Sequence, residues 1–438
     1  MRWLAALAIA LLAALPARAE IEIEEVTSPG GITAWLVEDH NIPFTALEIR
    51  FQGGTSLDAP GKSGAVRLMT ALLEEGAGEL DAQGFAAATE AIAADFDYDA
   101  YDDAVAVSAR FLTETRDEAM ELLRASLVEP RFDADAIERV RAQALAAIRS
   151  DLSDAGTIAS REFDRLAFGD HPYGRSPDGT IESVGALTRQ DLLDAHAAAL
   201  ARDRIFVSAA GDITAEELGV LLDELLGGLP ETGGALPGDV EVALPGGITV
   251  VEFDTPQSVA VFGHEGLSRD DDDFFAAFVL NQILGGGGFE SRLMQEVRVK
   301  RGLTYGIYTY LAPKDHAALY LGRVASANDR IAEAIDVIED QWRRIAEDGV
   351  TAEELDAAKT YLTGAYPLRF DGNGPIARIL VGMQMDGLAI TYPQTRNEKL
   401  AAITLEEVNR VAAELLDPDR LHFVVAGQPE GLEATPGQ

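Results

Sequence analysis

Arg298 and Tyr305 are the residues whose types and spacing carry the clearest chemistry. They stand seven residues apart across Gly302 in the stretch 284–306, LGGGGFESRLMQEVRVKRGLTYG. A guanidinium fork and a phenol hydroxyl are donors suited to an oxyanion or to the carbonyls of a bound chain. Taken alone, an arginine in EVRVKR reads as a solvated charge at a helix end. Gly302 predicts that the helix stops after Arg298 and that the chain turns so that Tyr305 begins a strand, both side chains facing one cleft. Gly285, Gly286, Gly287 and Gly288, ahead of them, allow a tight bend or a close backbone approach. No GK[ST] follows and no strand–GxGxxG–helix unit surrounds them, so nucleotide binding is not indicated.

Other reactive groups are sparse. The chain has no cysteine, which excludes disulfides, thiolate metal sites and thiol nucleophiles. Its six histidines are His40, His171, His196, His264, His316 and His422. No two lie four residues apart, so a helical pair of histidine ligands cannot form.

These residues need a scaffold, and the sequence supplies one twice. LTRQDLLDAHAAALARDRIFVSAAGD begins at Leu187 and ITLEEVNRVAAELLDPDRLHFVVAGQ at Ile403, and the two align without a gap. Each reads as a helix opened by threonine, a turn at Asp-Arg and an apolar strand ending in Ala-Gly. Thr404 with Glu407 forms a capping-box pattern, and Thr188 with Asp191 a weaker one. Strands are predicted at 32–37, 45–51 and 104–111. Helix pairs are predicted at 116–128 with 134–150 and at 329–346 with 352–362. Strand blocks and helix pairs are segregated, so the expected class is α+β: two similar domains, each a mainly antiparallel sheet packed with helices.

Length and composition fit that plan. The chain has 438 residues and is 47% hydrophobic, enough for two sizeable cores. Arg2, the apolar run 4–15 and Ala17-Arg18-Ala19 read as a cleaved signal peptide over 1–19, which points to the periplasm. The first domain is expected at 20–226, a Gly/Pro-rich linker at 227–247, the second domain at 248–428 and a frayed tail at 429–438. With 35 basic against 74 acidic residues the formal charge is −39, which disfavours nucleic acid and anionic membrane surfaces. The apolar run is too short for stable membrane insertion.

Four segments carry a family resemblance: 51–78, FQGGTSLDAPGKSGAVRLMTALLEEGAG; 168–188, FGDHPYGRSPDGTIESVGALT; 285–305; and 362–377, LTGAYPLRFDGNGPIA. The chain resembles the pitrilysin/insulinase-type metallopeptidases in their short two-domain form, which includes the mitochondrial processing peptidase subunits and paired bacterial periplasmic proteins. Active members carry H-x-x-E-H on the helix after the G-K-x-G turn. Here the matching residues are Arg67, Leu68, Met69, Thr70 and Ala71. The resemblance therefore implies a degenerate zinc site at Arg67, Thr70 and Ala71. The third ligand, a glutamate on a later helix, would fall within 143–148, QALAAI, which holds no acid. Arg67 is expected to pair with a nearby acid such as Glu74 or Asp58.

The resemblance further implies that Arg298 and Tyr305 stabilise a substrate carbonyl in trans and that the turn at Gly285, Gly286, Gly287 and Gly288 lines the cleft between domains. It implies no cofactor in this chain, zinc in a homologous H-x-x-E-H partner subunit, and peptides or unfolded proteins as substrates. Two alternatives stay open: a catalytically silent scaffold or peptide-binding protein of the same fold, and a self-sufficient metallopeptidase with an unrecognised site. Tyr98 and Tyr101 flank a segment that would form a substrate-pairing edge strand in active halves, but Asp97, Asp99, Asp102 and Asp103 crowd it.

Overall fold

The computed structural model describes residues 21–435. The signal peptide expected at 1–19 and the last three residues of the tail lie outside the described residues. The strands are β1 (Glu24–Thr27), β2 (Thr33–Glu38), β3 (Phe44–Gln52), β4 (Gly76–Ala77), β5 (Leu80–Asp81), β6 (Asp95–Ala100), β7 (Ala104–Leu112), β8 (Ile205–Gly211), β9 (Gly247–Glu252), β10 (Gln257–Glu265), β11 (Ile307–Pro313), β12 (Ala318–Ala327) and β13 (His422–Gly427).

Two sheets repeat one topology. The first has the order β1-β2-β8-β3-β7-β6 and the second β11-β12-β10-β13-β9. In the first, β2 runs parallel to β8, and the β8–β3, β3–β7 and β7–β6 pairs are antiparallel. In the second, β9 runs parallel to β13, and β13–β10, β10–β12 and β12–β11 are antiparallel. Strand β1 is an extra edge on the first. The helix before each parallel strand, Arg189–Ala199 and Leu405–Leu415, opens with a complete capping box, Thr188 with Asp191 and Thr404 with Glu407. The Asp191 box is therefore as fully formed as the Glu407 one.

Each half has its own apolar core. Leu36, Ile49, Phe51, Leu68, Met69 and Leu123 anchor the first, and Phe262, Leu284, Ile338, Trp342 and Phe423 the second. The central strands β3 and β8 are buried on both faces, which demands a second covering layer. That layer comes from the other half. Helix α1 (Ala65–Thr70) belongs to the first core, whereas helix α2 (Ala155–Phe168) sets Ala159, Phe163 and Ala167 against Val261 of β10 and Val424 and Ala426 of β13. Reciprocally, helix α3 (Asn373–Met385) sets Ala377, Leu380 and Met383 against Trp35, Ala46 and Ala210 of the first sheet. Ser208 Oγ donates to the Ala377 carbonyl (2.6 Å) and Gln384 Nε2 to that of Val207 (2.7 Å). The halves are thus tied by an exchange of helices.

The linker is extended and pinned. Val240 N donates to the His316 carbonyl and Ala243 N to that of Ala167, both at 2.9 Å. The tail expected to fray is anchored as far as Thr435: its N–H donates to the Ile248 carbonyl, and its hydroxyl accepts from Ile248 N, each at 2.9 Å. The cause is the open edge of β9, whose backbone groups need partners.

Candidate functional site

Arg298 lies in the last turn of a wide, π-type helix, Met294–Val299. Its guanidinium stacks over the Phe289 ring at 4.5 Å from the centroid. Gly302 adopts φ +63, the left-handed conformation that turns the chain out of the helix, and its N–H donates to the Arg298 carbonyl (2.8 Å). Arg330 donates to the carbonyls of Gly302 (2.9 Å) and Arg301 (3.0 Å) and holds the turn.

Beyond it, Leu303 and Thr304 are buried and Tyr305 is 85% exposed. Ser326 Oγ donates to the Leu303 carbonyl (2.5 Å) and Thr304 Oγ1 to that of Ala325 (2.7 Å). Gly306 N donates to Thr304 Oγ1 (3.1 Å), so Tyr305 projects from a backbone held before and after it, and its hydroxyl meets no partner among the described residues. It does not begin the strand, which starts at Ile307, paired with Val324. The Thr304 hydroxyl takes the Ala325 carbonyl, so a side chain replaces the ladder one step earlier. Phe289, Val299, Tyr308 and Tyr310 are also exposed, and the last two stack on each other with centroids 6.2 Å apart.

The glycines serve the chain itself. The helix Phe274–Asn281 continues through a wide turn, Gln282–Gly286, in place of the bend expected at Gly285 to Gly288. A Cβ on Gly285 would stand 2.3 Å from Thr309 Oγ1 and 2.9 Å from its nitrogen, so the close approach is to β11. Gly286 is exposed, Gly287 half-buried, and Gly288, at φ +58, is exposed with open space around it.

The helix that would carry zinc ligands is short, with Ala71 at its C-terminal end. Its N-terminus is capped by Asp58, which accepts from Gly64 N (2.6 Å) and Val66 N (2.8 Å). Burial pushes that carboxyl up to about 6 against those hydrogen bonds. These amides occupy Asp58, and Arg67 pairs neither with it nor with Glu74 but with Asp178. Arg67 Nε lies 3.0 Å from Asp178 Oδ1, an ion pair without hydrogen-bond alignment, and Arg161 reaches the same carboxylate at 3.6 Å. Thr70 is buried, its hydroxyl unpartnered, and Ala71 is exposed. An arginine, a buried threonine and an alanine are not a donor set for zinc. Among the described residues no group of three or more His, Cys, Asp or Glu could hold a metal ion.

Arg67 borders a cavity of about 400 Å³ between the halves, with Arg50 and Asp102 from one side and Lys314 and Met385 from the other. The halves are linked across it. Lys314 pairs with Asp102 and lies 4.2 Å over the Tyr173 ring. Asp315 N donates to Asp103 Oδ2 (3.2 Å), and Gln52 donates to the Asp315 carboxylate (2.7 Å). Tyr173 donates its hydroxyl to Asp103 and accepts from His316 N (3.2 Å). Among the described residues, no hydrogen bond, ion pair or ring contact joins Arg298 or Tyr305 to Arg67, Thr70 or Ala71. The edge strand β6 exposes Asp95, Asp97 and Asp99.

A profile described as "Peptidase M16 inactive domain" matches residues 186–362, which include the four glycines, Arg298 and Tyr305. An uncharacterized zinc protease of Mycobacterium tuberculosis is 30% identical over 303 residues, 68% of this chain and 69% of that protein. The chain belongs to the M16 peptidase family. This M16 chain is also 28% identical over 372 residues to a Helicobacter pylori protein called "non-peptidase homolog YmxG", covering 85% of this chain and 86% of that one. The crystal structure of a peptidase M16 inactive domain from Pseudomonas fluorescens superposes with a TM-score of 0.87 at 29% identity, over 94% of this chain and all of that one. A protease structure from Helicobacter pylori matches with a TM-score of 0.83 at 16% identity and shows the shared fold. The profile, the YmxG relative and the solved inactive domain together make the chain an inactive M16 homologue of the YmxG type.

The sequence missed one feature. A larger cavity in the second half is lined by Arg269, Arg369, Arg378 and Arg396. These residues come from separate segments over 269–396, so no spacing signals them.

Proposed function

We propose that this chain is the non-catalytic subunit of a two-chain, periplasmic M16 peptidase acting on peptides or unfolded proteins. Its partner carries H-x-x-E-H and the zinc, and Arg298 and Tyr305 complete the partner's active site by donating to substrate carbonyls. The observation that carries this reading is the free, 85% exposed Tyr305 on a backbone fixed by Leu303 and Thr304. A buried phenol would serve packing, whereas this one offers its hydroxyl outward, next to the turn from the Arg298 helix. The Arg67–Asp178 pair supports the inactive assignment.

The test mixes the purified chain with a secreted H-x-x-E-H homologue and follows co-elution and peptide cleavage. Cleavage should need both chains and fall sharply with Arg298→Ala and Tyr305→Phe. Full activity of the partner alone would overturn the reading. The second reading, a silent peptide-binding or scaffold protein, is favoured by the Lys314–Asp102 pair across the cavity that Arg67 borders. It expects a stable complex indifferent to Tyr305→Phe.

A further inference from the structure

In a chain of formal charge −39, a cavity in the second half is strongly basic. It measures about 680 Å³ and lies between the Phe274–Asn281 helix, strand β11, helix α3 and the helix Tyr392–Ala402. Four arginines line it against one acid, Asp386. Asp386 is spent on Arg269, whose Nε lies 3.5 Å from it and whose Nη2 donates to Tyr392 Oη (3.0 Å). Arg378 reaches Glu48 of the other half at 3.7 Å. Arg369 is exposed, and neither it nor Arg396 has a carboxylate within ion-pair distance among the described residues.

Arg396 is only 6% exposed. Its guanidinium lies 4.2 Å over the Tyr366 ring, and Nη1 donates to the Leu362 carbonyl (3.3 Å) and to Asn397 Oδ1 (3.2 Å). Neutral acceptors leave the charge itself uncompensated, an arrangement costly in a buried site. Beside it, Tyr366 is also 6% exposed, and its hydroxyl, sealed from solvent, has no partner. A buried cation without an anion and a buried donor without an acceptor point to the same missing group. The other walls are apolar: Phe274, Phe278, Tyr310 and Ile379. The volume exceeds that of an inorganic anion and suits a small organic ligand.

We infer that this cavity binds an organic carboxylate with an apolar or aromatic body, the chemistry of a peptide's C-terminal residue. The carboxylate takes Arg369 and Arg396, a turn of the Tyr366 ring brings its hydroxyl, sealed from solvent in this conformation, to the same group, and the body lies against the phenylalanines. This assignment does not need the partner subunit proposed above.

The test is calorimetric titration of the full chain with N-acetyl-L-phenylalanine, its amide, a tetrapeptide ending in phenylalanine as free acid or amide, and inorganic phosphate. Each free acid should bind at least about tenfold more tightly than its amide, as loss of a charge-assisted contact requires. A tighter tetrapeptide assigns the source to peptide C-termini, and equal affinities assign it to small free acids; both support the site. Arg369→Gln, an exposed change that should fold, should weaken the acids about tenfold, on the same contact argument. Tyr366→Phe should weaken binding while keeping or raising Tm, because its hydroxyl has no partner to lose. Equal binding of acid and amide, phosphate binding as tight as the acids, or no binding at all would overturn the inference.

Discussion

Arg67 and Asp178 meet with Nε 3.0 Å from Oδ1, so the residue that the family resemblance sets at a first zinc-ligand position is held in an ion pair reaching to the turn before Thr180. Asp178 also faces Arg161 at 3.6 Å. Both members of the Arg67 pair are partly solvated, and such pairs contribute little. Asp178→Asn should therefore change stability by less than about 1 kcal/mol. Wild type and variant should both pass gel filtration without stoichiometric zinc, measured by elemental analysis. One zinc per chain in either would contradict the loss of the site.

Tyr173 should be a stability residue of the contact between halves. It is 4% exposed, donates to Asp103 and accepts from His316 N. Tyr173→Phe keeps the ring under Lys314 and removes only the hydroxyl. It should destabilise by about 1–3 kcal/mol, the usual cost of leaving buried partners unpaired. The urea midpoint measures this, and an unchanged midpoint would remove the contact from the energetics.

How far the sequence went follows from how local each signal is. The capping boxes at Thr188 and Thr404 and the helix pairs rest on contacts three or four residues apart, so pattern alone revealed them. The repeat was legible for the same reason. No helix was expected over 155–168, and the four-residue spacing of Ala159, Phe163 and Ala167 in α2 does not say which sheet that face covers. The helix exchange was therefore invisible. Arg67 was expected to use Glu74 or Asp58 because both are close in sequence. The amides of Gly64 and Val66 hold Asp58, and the partner is Asp178, more than a hundred residues on. The Arg396 cavity joins separate segments and leaves no linear trace.

Gly285 should tolerate no side chain. Its Cβ would fall 2.3 Å from Thr309 Oγ1, in a contact that also involves the backbone of β11. Thr309 Oγ1 donates to Asn281 Oδ1 (2.7 Å), so it cannot simply swing away. Gly285→Ala should cost about 1–3 kcal/mol by overpacking. Gly288→Ala, at φ +58 with open space, should cost about 1 kcal/mol from the backbone alone. Thermal unfolding of the two variants compares them, and the reverse order would refute the packing argument.

Tyr305→Phe should leave folding untouched. The residue is 85% exposed and its hydroxyl is unpartnered, so the stability change should stay within about 0.5 kcal/mol. A larger loss by chemical denaturation would mean that Tyr305 serves the fold, and would weaken its proposed role toward a partner's substrate.

His264 should make the second half acid-sensitive. It is 2% exposed, accepts from Trp342 Nε1 at Nε2 (3.2 Å), and its Nδ1 bonds the Glu265 carbonyl (2.6 Å). Burial holds the ring neutral and lowers its pKa from 6.5 to about 4. A depressed histidine favours folding fully above its unfolded pKa, because the unfolded chain takes up a proton that the folded chain refuses. That contribution declines as pH falls from 6.5 toward 4 and is gone below it. His264→Asn should be less stable than wild type at pH 7.5, because it disturbs the Trp342 contact, yet lose less on acidification. Urea midpoints for both proteins at pH 7.5 and 4.5 give the comparison. Parallel slopes would show that another group carries the acid loss; Asp58 and Asp164, raised by burial to about 6 and about 7, stabilise the fold as pH falls and oppose that loss in both proteins.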